Sequence, residues 1–214
     1  MPSDPSILAF DTSAAHCAAA LLSGGQILAQ MHEDMAKGQA ERLIPLLDEV
    51  LLNAGMRWRE LDALAVGVGP GNFTGIRIGV SAARGLALGL GMPAIGVSVF
   101  EARAEGLPRP LYVVEDARRG DVYVQLFNDA TEAPFLIHRA DLTFANGAAL
   151  VGSLAAELAA DSDLPVLEPR FLLAEGIARV AARKFWTSQP RPAPLYIRAA
   201  DAALAADLPL TILP

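Results

Sequence analysis

Leu61-Asp62-Ala63-Leu64-Ala65-Val66-Gly67-Val68-Gly69-Pro70-Gly71-Asn72-Phe73-Thr74-Gly75-Ile76-Arg77 reads as a strand, a glycine-rich turn and the opening of a helix. The run from Leu61 to Val68 is short and almost wholly apolar, and Gly69-Pro70-Gly71 breaks it. Thr74 is placed to cap a helix from about Gly75 to Leu90, with Gly91 and Pro93 as its stop. Ala94 to Val99 is a further short strand. A strand, a helix and a strand in succession make this an α/β chain.

Upstream, Ile7 to Phe10 is an apolar run closed by Asp11-Thr12-Ser13. His16 to Leu22 is a second run, ending at Gly24-Gly25, and Gln26 to Met31 is a third; glycine punctuation between them predicts a hairpin or meander. Gln39 to Asn53 changes period, with Leu43, Leu46, Leu47, Val50 and Leu51 at helical spacing and Gly55 as its stop. Downstream, Arg103 to Pro110 is polar and reads as a hinge. After it the pattern restarts: Leu111 to Val114 closes on Glu115-Asp116, Arg118-Arg119-Gly120 turns, and Val122 to Phe127 alternates as a strand. This repeat predicts two related α/β lobes around a cleft, residues 1–104 and a smaller 105–214. Ala148 to Ala159 and Leu172 to Phe185 are the expected helices of the second lobe. Gln189 to Pro194 is an expected extended linker, and Leu195 to Arg198 a short strand.

Composition narrows the function. The 214 residues are 53% hydrophobic and 19% charged, enough apolar side chain for a sizeable core. A formal charge of −7 repels a phosphate backbone, so tight nucleic-acid binding by the whole surface is not expected. Cys17 is the single cysteine, which rules out an internal disulfide and a cysteine zinc cluster and suits a reducing compartment. Met1-Pro2-Ser3-Asp4-Pro5 lacks the basic segment of a signal peptide. Ile76 to Phe100 carries Arg77 and Arg84 and is broken by Gly91 and Pro93, so no membrane span is expected. A cytoplasmic protein is the expectation.

Two constellations invite a ligand. Asp11-Thr12-Ser13, at the end of a central strand, offers a carboxylate and two hydroxyls for a metal-bound phosphate, or else forms a self-capping turn. In the loop from Gly69 to Gly75, the residues Gly69, Gly71, Asn72, Thr74 and Gly75 allow close approach to an anion at a helix N-terminus, or a structural strand-to-helix turn. It is neither a Walker loop nor a dinucleotide fingerprint. Asp116 to Tyr123 places two arginines among aspartates, fit for a phosphate, a partner's carboxylate or a solvated turn. His16, His32 and His138 are scattered, no His-x-x-x-His pair exists, and no serine or cysteine sits in a nucleophile setting, so no catalytic residue and no metal site are assigned. The first helix is apolar over a wide arc, its stripe of Leu43, Leu47, Val50 and Leu51 being joined by Ile44 and Leu46 pointing elsewhere. The second presents Ala82, Gly85 and Gly89 along one side. Such helices are deeply buried or partly reserved for a partner.

Together these segments resemble the TsaB family, also called YeaZ, a sister of the TsaD proteins. The match is carried by Ile7 to Ser13, Glu41-Arg42-Leu43-Ile44-Pro45, Val66 to Gly79, Gly96-Val97-Ser98 with Glu101-Ala102, Asp116 to Tyr123, and Pro194-Leu195-Tyr196-Ile197-Arg198. It is dense over 7–102 and patchy from 111 to 198. Asn72 stands where serine is common in the family. The resemblance implies a two-lobed actin/Hsp70/sugar-kinase-like (RNase H-like) fold, each lobe a mixed sheet flanked by helices. It implies a non-catalytic scaffold for N6-threonylcarbamoylation of adenosine 37 in tRNA, paired with a TsaD-like transferase and a TsaE-like ATPase. A homodimer when alone, tRNA contact only through the complex and no cofactor of its own are implied too. Asp11, Thr12, Ser13 and the loop residues would then be a vestigial phosphate site. The expected partner face is Leu43, Ile44, Leu47, Val50 and Leu51 with Ile78, Ala82, Gly85, Leu86 and Gly89. The competing readings are a small ATP-dependent phosphotransferase or carbamoyl-type transferase using Asp11 and Gly69–Gly75, and a glycoprotease-like hydrolase. The plain second lobe predicts weak or absent ATP binding by the isolated chain.

Overall fold

The computed structural model describes residues 4–129, 132–160, 162 and 164–198. The expected meander forms from β1 (Ile7–Asp11), β2 (His16–Ser23) and β3 (Gln26–Asp34). β4 (Ala63–Gly67) and β5 (Ala94–Val97) join in parallel on the other side of β1, giving the order β3-β2-β1-β4-β5. The helices among the described residues are α1 (Gln39–Asn53), α2 (Phe73–Leu90), α3 (Val99–Ala104), α4 (Ala155–Ala159) and α5 (Leu173–Lys184).

β1 reads as a continuous apolar run because both its faces are covered. Leu8 and Phe10 point into a core shared with α1 and α2, while Ile7 and Ala9 point the other way, into a core shared with α5. Each such side chain, fully buried, contributes roughly 1.5–3 kcal/mol for the larger types.

The second sheet repeats the start of the first. β6 (Leu111–Asp116), β7 (Asp121–Phe127) and β8 (Phe135–His138) are antiparallel, and β9 (Ala149–Val151) runs parallel to β6. The order β8-β7-β6-β9 matches β3-β2-β1-β4, so the duplication read from sequence is present in the topology.

Several expectations need correction. The helix expected over Ala148 to Ala159 begins as β9, because the open side of β6 captures Ala149, Leu150 and Val151; only Ala155–Ala159 is helical. Gly152 separates the two, at φ 121, where a Cβ would lie 2.2 Å from the Val114 carbonyl oxygen. α5, expected in the second lobe, packs on the first sheet against β1, β2, β4 and β5. Its apolar face of Ile177, Ala178, Val180 and Ala181 covers the side of that sheet which α1 and α2 leave bare. The helix expected from Gly75 starts at Phe73, and its cap is Asn72 rather than Thr74, because the Asn72 side chain accepts a hydrogen bond from the Gly75 amide at 3.0 Å. On α1, Leu43, Leu47, Val50 and Leu51 lie inside the chain's own core, and Leu46, expected to point elsewhere, lies there too. The sheet takes them all, so the partner-facing arc of α1 is narrower than its composition suggests.

The segment 192–198 is not a strand among the described residues but a strap across both halves. Leu195 N–H donates to the Val68 carbonyl at 2.8 Å. The Tyr196 hydroxyl accepts from Arg77 Nε at 2.9 Å, and its ring stacks on Phe73. Leu195 and Ile197 pack with Phe100, Leu111 and Phe127, and Arg198 donates to the Ala117 carbonyl and the Asp121 carboxylate. Among the described residues, no helix is long and apolar enough to cross a membrane.

Candidate functional site

The two constellations singled out in sequence meet in space. The end of β1 runs directly over the start of α2, and four glycines make the crossing possible. A Cβ at Gly75 would stand 1.9 Å from the Thr12 carbonyl oxygen, one at Gly71 2.3 Å from that of Ser13, one at Gly67 1.8 Å from Asp11 Oδ2, and one at Gly79 2.9 Å from Thr12 Oγ1. At Gly71 and Gly75 the obstruction is backbone, so glycine is demanded by the chain's own packing; at Gly67 and Gly79 a side chain would have to displace that of Asp11 or Thr12.

The polar groups of the crossing largely satisfy one another. Thr12 Oγ1 donates to the Gly75 carbonyl at 2.7 Å, and the Asn72 amide donates to the Ser13 carbonyl at 2.6 Å. Asp11 Oδ1 accepts from the Ser13 amide at 2.9 Å and the Ser13 hydroxyl at 2.8 Å, and hydrogen-bonds His16 Nε2 at 2.7 Å. Asp11, Thr12 and Ser13 are all buried. Asp11 Oδ2 is the exception, buried with no hydrogen-bond partner. Gly69 has φ 97 and forms a cis bond with Pro70, and its carbonyl accepts from the Val99 amide, which fixes the loop to α3.

Beyond this crossing lies a cleft of about 820 Å³ between the halves. Ser13, Asn72 and Thr74 border it on one side, and Arg103, Glu115 and Arg118 on the other. Arg118 and Arg119 both have positive φ, 62 and 55, in the turn between β6 and β7. Arg118 closes that turn through its amide on Asp116 Oδ1, and Asp121 holds Arg198 of the strap. Burial, reinforced by the Glu33 charge, pushes the Cys17 thiol up to about 11, so it is a weak nucleophile near neutral pH. Among the described residues no group of three or more His, Cys, Asp or Glu is placed to hold a metal ion.

The outward faces of α1 and α2 differ from the rest of the surface. Leu52 is 78% exposed, Leu88 84% and Ile44 39%. A Cβ at Gly85 or Gly89 would meet nothing within 4 Å, so α2 presents bare backbone there. Ile78, Ala82 and Leu86 are half-buried at the edge of the chain's own core. Sequence reasoning named Ile44, Gly85 and Gly89 but missed Leu52 and Leu88. Their spacing was the available signal, since Leu52 is two turns beyond Ile44 and Leu88 one turn beyond Gly85. It also missed His16 on Asp11, and the stack of Phe73, Arg77 and Tyr196.

Comparison with known proteins agrees with this architecture. The family described as TsaD, tRNA N6-adenosine threonylcarbamoyltransferase, matches residues 27–134. The chain is 39% identical over 122 residues to the tRNA threonylcarbamoyladenosine biosynthesis protein TsaB of Escherichia coli (strain K12), covering 55% of this chain and 52% of that one. It thus spans about half the length of the curated relatives it matches. The solved structure of YeaZ from Pseudomonas aeruginosa superposes with a TM-score of 0.73 at 26% identity, covering 90% of this chain and 99% of that one. Component A of the (R)-2-hydroxyglutaryl-CoA dehydratase of Acidaminococcus fermentans, at 12% identity and a TM-score of 0.57 over 84% of this chain and 98% of that one, shares the fold alone. The meander with its parallel partner strand, built twice around a cleft, is the actin/Hsp70/sugar-kinase type of fold expected from sequence. With the glycines of the crossing, Gly67, Gly71, Gly75 and Gly79, all inside the matched stretch, the chain belongs to the TsaB (YeaZ) family.

Proposed function

We infer that the chain acts as a non-catalytic subunit in N6-threonylcarbamoylation of adenosine 37 in tRNA, pairing with a TsaD-type transferase through the outward faces of α1 and α2. One observation carries this reading: Leu52 and Leu88 stand largely exposed on two helices that contact each other, and α2 beside Leu88 presents the bare backbone of Gly85 and Gly89. Large apolar side chains left exposed on neighbouring helices mark a surface suited to a partner. Covering each one contributes roughly 1.5–3 kcal/mol, and the glycines let a partner helix approach closely. The cleft supports the same assignment. The hydroxyl of Thr12, the Oδ1 of Asp11 and the Asn72 side chain are engaged by the protein itself, leaving little of the expected phosphate site free. A TsaE-type ATPase as third component, contact with tRNA only through the complex, a homodimer when no transferase is present and a cytoplasmic location belong to this reading.

The test is reconstitution of threonylcarbamoyladenosine formation with a TsaD-type transferase and a TsaE-type ATPase, with and without this chain. Modification should require the chain. Leu52→Asp and Leu88→Asp should abolish co-purification with the transferase while leaving the thermal midpoint unchanged. Turnover of ATP or another substrate by the purified chain alone, lost in Asp11→Ala, would instead support the phosphotransferase reading and overturn this one.

A further inference from the structure

A groove of about 680 Å³ lies across the C-terminal end of α2, between that helix and the residues that follow α5. Its wall is apolar where Leu88, Met92 and Phe185 line it, and Arg84 and Arg191 also border it. Both arginines are exposed, and neither has a hydrogen-bond or ion-pair partner among the described residues. No residue lining the groove is acidic, on a chain whose formal charge is −7. Several arginines elsewhere on the molecule are held by carboxylates: Arg103 by Glu115, Arg183 by Glu105 and Arg198 by Asp121. The groove is therefore a locally cationic, half-apolar surface on an acidic protein.

The groove also continues the outward face of α2, since Gly85 and Leu88 belong to both. We propose that it receives an acidic segment of the protein partner that covers α2, with carboxylates on Arg84 and Arg191 and apolar side chains against Leu88, Met92 and Phe185. The inference rests on the reading of α2 as a subunit contact and extends it to a specific chemistry. A protein segment fits better than RNA. Phosphates would leave the apolar wall uncovered, and the net negative charge of the chain opposes a polyanion. Methionine and bare arginine forks suit a peptide carrying both apolar and carboxylate groups.

The test measures affinity for a TsaD-type transferase as a function of salt, for the parent chain, Arg84→Glu, Arg191→Glu, the double reversal, and Leu52→Asp, which lies on α1 outside the groove. The double reversal should weaken binding by about ten- to a hundredfold and flatten the salt dependence. Both effects should appear at an unchanged thermal midpoint. If the reversals leave affinity and salt dependence unchanged while Leu52→Asp abolishes binding, the groove inference is overturned and the subunit reading survives. If no variant alters binding, both fall. If the reversals instead weaken binding of unmodified tRNA to the complex with the transferase affinity intact, RNA is the occupant and the inference is overturned.

Discussion

Replacing a glycine by alanine at two positions of α2 should move stability in opposite directions. At Gly75 the new methyl would lie 1.9 Å from the Thr12 carbonyl oxygen, well over an ångström inside ordinary contact. The obstruction is backbone at the end of a central, fully buried strand, so it cannot swing aside as a side chain would. Relief requires α2 to move off β1, which breaks the buried hydrogen bond from Thr12 Oγ1 to the Gly75 carbonyl. Overpacking at about 1–3 kcal/mol and a stranded buried hydroxyl at about 1–3 kcal/mol, less up to about 1 kcal/mol of helix propensity, give a net loss of roughly 1–6 kcal/mol. At about 2–4 °C per kcal/mol for a chain of this size, that is a fall in Tm of roughly 2–24 °C. At Gly85 the same methyl meets nothing within 4 Å, and the substitution should stabilise by about 0.5–1 kcal/mol through helix propensity alone. Urea unfolding followed by circular dichroism measures both. A Gly75→Ala chain as stable as its parent, or a Gly85→Ala chain that shifts in the same direction as Gly75→Ala, would refute the claim that the glycines serve the crossing.

Other expectations are simpler to check. Arg198→Leu removes the strap's grip on Asp121 and Ala117, so amide exchange at the 117–121 turn and at Leu195 should accelerate while β1 and β4 remain protected. Arg42 hydrogen-bonds Glu33 and Glu49 and holds both carboxyls below the usual glutamate range. Their contribution is therefore fully present above the ordinary glutamate pKa and lost as pH falls through the depressed folded values. The gap in urea midpoint between parent and Arg42→Met should be present near neutral pH and close as the medium is acidified. Cys17, with its thiol raised to about 11 by burial, should resist iodoacetamide in the native chain near pH 7.5 and react promptly in denaturant; ready labelling of the folded protein would contradict its described burial.

Much of the fold was legible because local signals and tertiary demands coincide in the first half. The glycine pair after β2, the period change at Gln39 and the glycine stops at Gly55 and Gly91 mark real boundaries. The second half was harder for an identifiable reason. Ala148-Ala149-Leu150-Val151 carries no strong strand propensity of its own, and the open side of β6 decides its state. The place of α5 could not be read locally either, because an amphipathic helix declares that one face is buried but not which sheet buries it. At the site, sequence brought the right residues forward and left their roles open. Only the distances at Gly67, Gly71 and Gly75 distinguish a loop that opens for a ligand from one that closes on the chain itself.

The return of α5 to the first sheet has a consequence for how the protein is made. Ile7, Ala9 and Leu22 stay uncovered on one side until a segment more than 150 residues later in the chain has been synthesised. A nascent polypeptide leaving the ribosome would thus hold these strands half-clothed until α5 emerges, a period in which chaperones and neighbouring nascent chains compete for the same greasy surface.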